Sequence, residues 1–201
     1  MKQLPTDLSD YSGEYIPELE FENLSKDTLV KLLGEFARLL VCIAGIYDTV
    51  VTREVGPEKA LELVEEVWQR QYDVQIPRVA KILNIKGDDV LTMFKVMQFT
   101  PDGYATGGQW KAKLNIIDKN DVIFTLTHCR TLEYFERHGQ DFQIRGICGP
   151  DGQEWVALKK YAQFANPDIK VIALKNPPRS SPNEIACQWE FKLEPKHGEC
   201  R

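Results

Sequence analysis

Apolar residues recur at intervals of three and four positions through the first half of the chain, which is the spacing of amphipathic helices. The first predicted helix begins after Ser25, a residue type that caps helix N-termini, and ends near Val55-Gly56. Its glycines, Gly34 and Gly45, lower helix propensity but permit another helix to approach closely. The apolar positions of this helix are Leu29, Leu32, Leu33, Phe36, Leu39, Leu40, Ile43 and Tyr47.

Two further helices are predicted before residue 99. Pro57 suits the first turn of the second helix, which carries an apolar stripe opposite a run of glutamates. Pro77 lacks the N–H that an internal helical turn uses, so we expect it to break or kink this helix, which then ends near Asn84. A third, shorter helix is predicted to start at residues 87–89.

The pattern changes near residue 100 to the alternation typical of half-buried strands. Between two predicted hairpins lie two predicted helices, from Thr131 to Gly139 and from Gln153 to Phe164. The order β-β-α-α-β-β predicts an α+β fold, in which the N-terminal helices pack with a four-stranded antiparallel sheet. The predicted strands lie near residues 110–117, 121–128, 169–175 and 185–193.

The chain contains no composition change that would mark a linker between two independent domains. Residues 1–24 have no clear period and are interpreted as an N-terminal arm. Residues 25–201 are interpreted as one domain, with a helical part at 25–98, a sheet part at 99–193 and a polar tail at 194–201.

Composition narrows the function classes. The net charge of −5 gives no electrostatic attraction to nucleic acid or to an anionic membrane. No apolar run reaches the roughly 20 residues of a membrane span, and no signal peptide is recognised, so we expect a cytoplasmic protein. Five widely spaced cysteines argue against a disulfide framework, and in a reducing cytosol they favour a catalytic, metal-binding or core role.

A candidate site lies where the strand at 121–128 ends in His128, Cys129 and Arg130. Alternation along the strand places His128 on its buried face, and the same reasoning buries Cys187 on the last strand. If these two faces coincide, the His128 imidazole and the Cys187 thiol form a thiolate–imidazolium pair that is activated for attack on carbon, with a lowered thiol pKa. The plain alternative is a core cysteine and a hydrogen-bonded histidine at a strand end.

Neighbouring residues extend this candidate site. Cys129 is a second possible nucleophile, and Glu133 and Glu136 are candidates for acid–base work or for orienting His128. Arg130 is predicted to hold a substrate carboxylate through two hydrogen bonds. The aromatic residues of the two strands are predicted to border an apolar cavity and to contact the substrate: Phe124, Trp189 and Phe191.

Two other classes of function stay open at this stage. Four soft ligands, His128, Cys129, Cys148 and Cys187, would suit zinc or an iron–sulfur cluster, although the close Cys-x-x-Cys pair is absent. In this view Cys148 reaches the site from a loop. The other class is a protein that binds a small ligand without chemistry, alone or as a homo-oligomer.

Several motifs together resemble one known group of proteins. They are Glu-Glu-Val-Trp at 65–68, Thr-His-Cys at 127–129, Asn-Pro-Asp-Ile-Lys-Val at 166–171, the proline-rich loop that follows, and Cys187-Gln-Trp-Glu-Phe191. Over about residues 25–193 the chain resembles a group of small, uncharacterised prokaryotic cytosolic proteins that is related to the L-2-amino-thiazoline-4-carboxylate hydrolase-like family. The resemblance implies a hydrolase that opens a small, cyclic C–N bond, with the Cys/His site as its chemical centre.

Overall fold

A computed structural model of the protein describes residues 5–106 and 109–194. Residues 1–4 of the predicted arm and residues 195–201 of the predicted tail lie outside the described residues. The described part of the arm forms a parallel bridge with the residues that precede the first helix. There the Leu8 N–H donates to the Asn23 carbonyl, and the Ser25 N–H donates to the Leu8 carbonyl, each at 2.9 Å.

The helical first half follows the predicted pattern closely. The Ser25 hydroxyl accepts a hydrogen bond from the Thr28 N–H at 3.2 Å, which caps the first helix, and Gly56 ends it at a positive φ of 83°. The α-helices within the described residues are α1 (Lys26–Val55), α2 (Pro57–Ile82), α3 (Val90–Met97), α4 (Arg130–Arg137), α5 (Asp141–Cys148) and α6 (Gln153–Ala165).

Pro77 does not end the second helix, which corrects the prediction of a break. It lies inside the single helix α2, with its own ring exposed. Its neighbours Gln75, Ile76 and Ala80 are buried against the rest of the protein. We attribute the continuity of the helix to these tertiary contacts, which offset the hydrogen bond that proline cannot make.

The second half forms one antiparallel sheet of four strands, as predicted, and the fold is α+β. The spatial order is β1-β2-β4-β3, so the two hairpins meet where β2 pairs with β4. Three helices, rather than the predicted two, lie between the hairpins, because residues 141–148 form α5. The strands are β1 (Trp110–Asp118), β2 (Asp121–Cys129), β3 (Lys170–Lys175) and β4 (Cys187–Lys192).

The main core lies between one face of this sheet and the helices. Phe124 on β2 is opposite Trp189 on β4, and the Phe94 ring of α3 lies 5.6 Å from the Phe124 ring and 5.1 Å from the Phe191 ring. Phe124, Trp189 and Phe191 have no exposed surface. These three residues therefore belong to the packed core, which corrects the prediction that they border a ligand cavity.

A buried polar network joins α2 to α6 beside this core. Gln75 Nε2 donates to Asp102 Oδ1 and to the Tyr161 hydroxyl, both at 2.9 Å. The Tyr161 hydroxyl in turn donates to Thr100 Oγ1 at 2.9 Å. Burial raises the pKa of Asp102. Among the described residues, no helix is both long and apolar enough to cross a membrane.

Candidate functional site

Three cysteines from distant parts of the chain line one small cavity. Cys129 ends β2, Cys148 ends α5 and Cys187 begins β4. The cavity has a volume of about 20 Å³, which is enough for roughly one water molecule. Its wall is completed by Leu126, Leu132, Glu154, Pro177 and Ala186. The structure thus brings together three of the four predicted sulfur and nitrogen ligands, and His128 is not in the wall.

A β-bulge explains why Cys129 rather than His128 faces the cavity. On β1, Lys111 is opposite His128 while the next residue, Ala112, is opposite Leu126, so Thr127 is the extra residue on β2. One extra residue reverses the side of the strand on which later side chains point. The bulge therefore turns Cys129 inward, and the prediction from simple alternation, which buried His128, is corrected.

A tight turn between α5 and α6 sets Cys148 beside Glu154. A Cβ at Gly149 would lie 2.4 Å from the Arg145 carbonyl oxygen, and a Cβ at Gly152 would lie 2.7 Å from the Gly146 carbonyl oxygen. Neither backbone atom can move away easily, so both positions require glycine. The turn delivers the thiol at the end of one helix and the carboxyl in the first turn of the next to the same cavity.

Electrostatics keep all three thiols neutral. Burial raises the pKa of Cys129 to about 12, and the backbone amides of Leu132 and Thr131 oppose this rise. Burial also raises the pKa of Cys187, as does the charge of Glu154, and the Trp189 ring N–H lies 3.3 Å from its sulfur. The pKa of Cys148 is raised first by burial and then by the neighbouring Cys129 and Glu154. This is the opposite of the lowered thiol pKa expected from an adjacent imidazolium.

Glu154 is a half-buried residue whose carboxyl lines this cavity. Burial, and secondly the charge of Asp102, raise its pKa from 4.5 to about 8. Its Oε1 is buried and has no hydrogen-bond partner. The carboxyl is therefore mostly protonated at neutral pH, and it can give or take a proton at little cost.

His128 and Glu133 form a separate pair outside the wall of the cavity. His128 Nδ1 lies 2.6 Å from Glu133 Oε1, and both side chains are about one-third exposed. The Arg179 side chain, which is only 3% exposed, forms two parallel contacts with Glu136: Nε to Oε1 at 2.8 Å and Nη2 to Oε2 at 2.6 Å. Arg130 is exposed at the first residue of α4, where its backbone N–H donates to the Gln109 carbonyl.

Arg179 links Glu136 of α4 to the loop that contributes Pro177 to the cavity wall. Its Nη1 donates to the carbonyls of Pro182 and Glu184 at 3.1 Å. The hydrogen-bonded Glu136 carboxylate raises the pKa of Arg179, so the guanidinium is charged wherever the carboxylate is. The loop between β3 and β4 is thereby fixed to α4.

The metal hypothesis gains no geometric support from the positions of these side chains. Within residues 5–106 and 109–194, no three His, Cys, Asp or Glu residues have the spacing to hold a metal ion. The cysteines with described positions, which are Cys42, Cys129, Cys148 and Cys187, are all free thiols.

Reasoning from the sequence missed two residues of this site, Glu154 and Arg179. A glutamate in the first turn of a helix is usually solvated and interacts favourably with the helix dipole. Nothing in the sequence distinguishes Glu154 from such an ordinary surface glutamate. Arg179 lies in the proline-rich loop, which the sequence does indicate, but its burial depends on Glu136, more than 40 residues earlier. No sequence signal could have identified either residue.

Comparison with known proteins gives a family but no activity. A family model described as a family of unknown function, DUF6125, matches residues 22–193. No curated protein matches the chain. No solved structure matches it either. These findings do not link the chain to the thiazoline-carboxylate hydrolase-like family, so that resemblance stays a prediction.

Proposed function

Because this chain belongs to the DUF6125 family, whose function is unknown, we propose a function from the site itself: the protein hydrolyses a small C–N bond at the cysteine cavity. The observation that carries this proposal is the meeting of three free thiols with the unpartnered carboxyl oxygen of Glu154. Clusters of reactive groups with perturbed pKa values are typical of catalytic sites. The resemblance to thiazoline-carboxylate hydrolase-like proteins supports the same reaction.

Cys148 is the proposed nucleophile and Glu154 the proposed proton carrier. Cys148 is the least buried of the three cavity thiols, and it directly precedes the turn at 149–152. A carboxyl with a pKa of about 8 holds its proton at neutral pH and can protonate a leaving nitrogen. Because the resting thiol is neutral, its attack requires the proton to leave at the same time.

The proposed reaction has two steps. First, Cys148 Sγ bonds to the electrophilic carbon of the substrate, Glu154 gives its proton to the nitrogen as the C–N bond breaks, and Glu154 takes the thiol proton. Water then attacks the sulfur-bound carbon, the C–S bond breaks, and a proton from the water restores the thiol. Since the cavity holds about one water molecule, Pro177 and its loop have to move aside to admit the substrate.

Turnover assays test this proposal. The purified protein is incubated with 2-amino-thiazoline-4-carboxylate and with simple cyclic amides, and ring opening is followed by chromatography. Cys148→Ser should abolish turnover, and Glu154→Gln should reduce kcat by about 10²–10⁴-fold, the usual effect of losing a general acid. Cys42→Ser, on the exposed surface of α1, is the matched control and should be fully active. Absence of turnover, or an active Cys148→Ser variant, would refute the proposal.

A soft metal ion is the alternative occupant, and one observation favours it. Cys129, Cys148, Cys187 and Glu154 all line the same cavity, and thiols are the ligand type that soft ions such as zinc prefer. Binding would draw the side chains together and release their protons. Metal analysis of protein purified without oxygen distinguishes the two functions. One equivalent of zinc or iron per chain, which is lost in Cys187→Ser, would favour the metal site over the hydrolase. A metal-free, active protein would exclude it.

A further inference from the structure

The first helix exposes far more apolar surface than a solvated helix needs. In the 30 residues of α1 only Ala37 is buried. Phe36, Leu39, Ile43 and Ile46 are 50%, 54%, 62% and 59% exposed. Val30, Leu33, Tyr47, Val50 and Val55 of the same helix are also exposed. An apolar area of this kind, on the order of several hundred Å², reaches the size of the patches that mark interaction sites.

Exposed and half-buried apolar residues form a regular seam along α1. Leu29, Leu32, Phe36, Leu39, Ile43, Ile46 and Val50 are separated by alternating steps of three and four residues. We call these seven residues the α1 seam. The alternation is that of coiled-coil core positions, which pack against another helix. Leu29 and Val50 are separated by 21 residue steps, about 32 Å at 1.5 Å per residue, so the partner of the seam has to be a helix of similar length.

The helix α2 does not cover this seam. It packs on a neighbouring side of α1, where an open apolar groove of about 230 Å³ runs between the two helices. The groove is lined by Leu40, Ile43, Ala44 and Tyr47 of α1 and by Val64, Val67, Trp68 and Gln71 of α2. Ile43 belongs both to the seam and to the groove, so a helix seated on the seam would also fill the groove.

The charges of α1 favour a second copy of the chain over an anionic membrane. The helix carries four basic and four acidic residues, whereas membrane-surface helices have an excess of Lys and Arg on the polar face. Its two ends are also complementary. Lys26-Asp27 starts the helix and Arg53-Glu54 nearly ends it. In an antiparallel pair Lys26 of one copy can face Glu54 of the other, and Asp27 can face Arg53, whereas a parallel pair places each charge beside its own copy.

From the seam, the groove and the end charges, we propose that two copies of this protein pair through their α1 seams in an antiparallel, two-fold arrangement. Each seam then covers the other, as a two-fold interface requires. The α1–α2 hairpins of both copies together form a four-helix bundle. A standard interface buries ~800 Å² per partner, so the seam and its flanking polar residues together have to contribute an area of that order.

Measurement of molar mass by light scattering during gel filtration tests the pairing. The intact chain should elute at twice its mass of 23.1 kDa at tens of micromolar. The double variant Leu39→Glu/Ile46→Glu should elute as a single chain with an unchanged circular dichroism spectrum, because both side chains are exposed. The matched control Lys31→Glu/Thr49→Glu, on the polar side of α1, should stay dimeric. A monomeric wild type, or a dimeric seam variant, would overturn the proposal.

Cross-linking tests the direction and does not depend on whether the seam variant folds. In a background with Cys42 and Cys200 replaced by serine, Leu39→Cys lies near the two-fold axis and should be joined to its copy by a short bismaleimide. Leu29→Cys should not be joined, because its copies are roughly 30 Å apart at opposite ends of the antiparallel pair. Cross-linking at 29, or its absence at 39, would contradict the arrangement. Binding of a monomeric wild type to anionic vesicles would identify a membrane as the occupant instead.

Discussion

Ionisation of Glu154 should make the folded protein less stable as the pH rises, and a variant of this one residue can test that. Its pKa is raised from 4.5 to about 8, so the folded state binds a proton that the unfolded state releases between these values. The contribution of the protonated carboxyl is fully present below about pH 4.5 and is lost as the pH rises through 8. Because a tenfold change in proton affinity corresponds to about 1.4 kcal/mol, ionisation lowers the free energy of unfolding by an amount on the order of a few kcal/mol.

The variant Glu154→Gln removes this dependence while keeping the size of the side chain. Urea unfolding at pH 5 and at pH 9 should show similar stabilities for wild type and variant at pH 5, and a more stable variant at pH 9. Glu18→Gln, at an exposed position in the arm, is the control and should follow the wild type at both pH values. An equal response of wild type and Glu154→Gln to pH would show that this carboxyl ionises freely in the folded protein.

At the residue scale, the sequence identifies thiols more readily than it identifies their surroundings. Cys129, Cys148 and Cys187 could be selected as candidates because cysteine is rare and chemically distinctive. The residues around these thiols could not be predicted, because the bulge at Thr127 turns Cys129, and not His128, towards the cavity. A bulge depends on how β1 pairs with β2, and alternation along a single strand contains no information about that pairing.

At the scale of elements, helix ends and strand alternation were predictable because their causes are local. Ser25 as a cap, Gly56 at positive φ and the alternation of Cys187, Trp189 and Phe191 all act within a few residues. The helix α5 was missed because it is short and contains Gly146, whose lack of a side chain allows Leu61 of α2 to approach closely. That contact is between elements, and no local pattern predicts it.

The loop between β3 and β4 is held in position by one partly buried ion pair, Arg179–Glu136. Arg179→Ala leaves the Glu136 carboxylate and the carbonyls of Pro182 and Glu184 without their donor. Because Glu136 is 27% exposed, the loss of stability measured by urea unfolding should lie between the ~1 kcal/mol of an exposed pair and the ~3–5 kcal/mol of a fully buried one. The control Arg70→Ala breaks the exposed pair with Glu66 and should cost less than about 1 kcal/mol.

The same variant also bears on access to the cavity, because Pro177 of this loop lines it. Arg179→Ala should increase the rate at which a small alkylating reagent modifies Cys148 in the folded protein, as measured by mass spectrometry of its peptide. If the variant is as stable as the wild type and its cysteines react no faster, the ion pair does not hold the loop over the cavity.

At the scale of the whole molecule, α2 joins two regions with different surroundings. Its C-terminal half is buried in the main core through Tyr72, Ile76 and Ala80. Its N-terminal half packs mainly against α1, whose seam is open in the single chain. Only Ala37 of α1 is buried, so α1 gains little stability from packing within its own chain. Helices in water are stabilised chiefly by such tertiary packing. The proposed partner would supply the missing packing.

This arrangement makes thermal stability depend on protein concentration. A dimer that binds only when folded stabilises the native state by mass action, so the Tm of the wild type should rise by a few degrees when its concentration increases about a hundredfold. The Leu39→Glu/Ile46→Glu variant should show the same Tm at both concentrations, while Lys31→Glu/Thr49→Glu should follow the wild type. Differential scanning fluorimetry or calorimetry at matched buffer conditions measures both. A wild-type Tm that does not change with concentration would mean that α1 is stable without a partner, and the seam would then need another explanation.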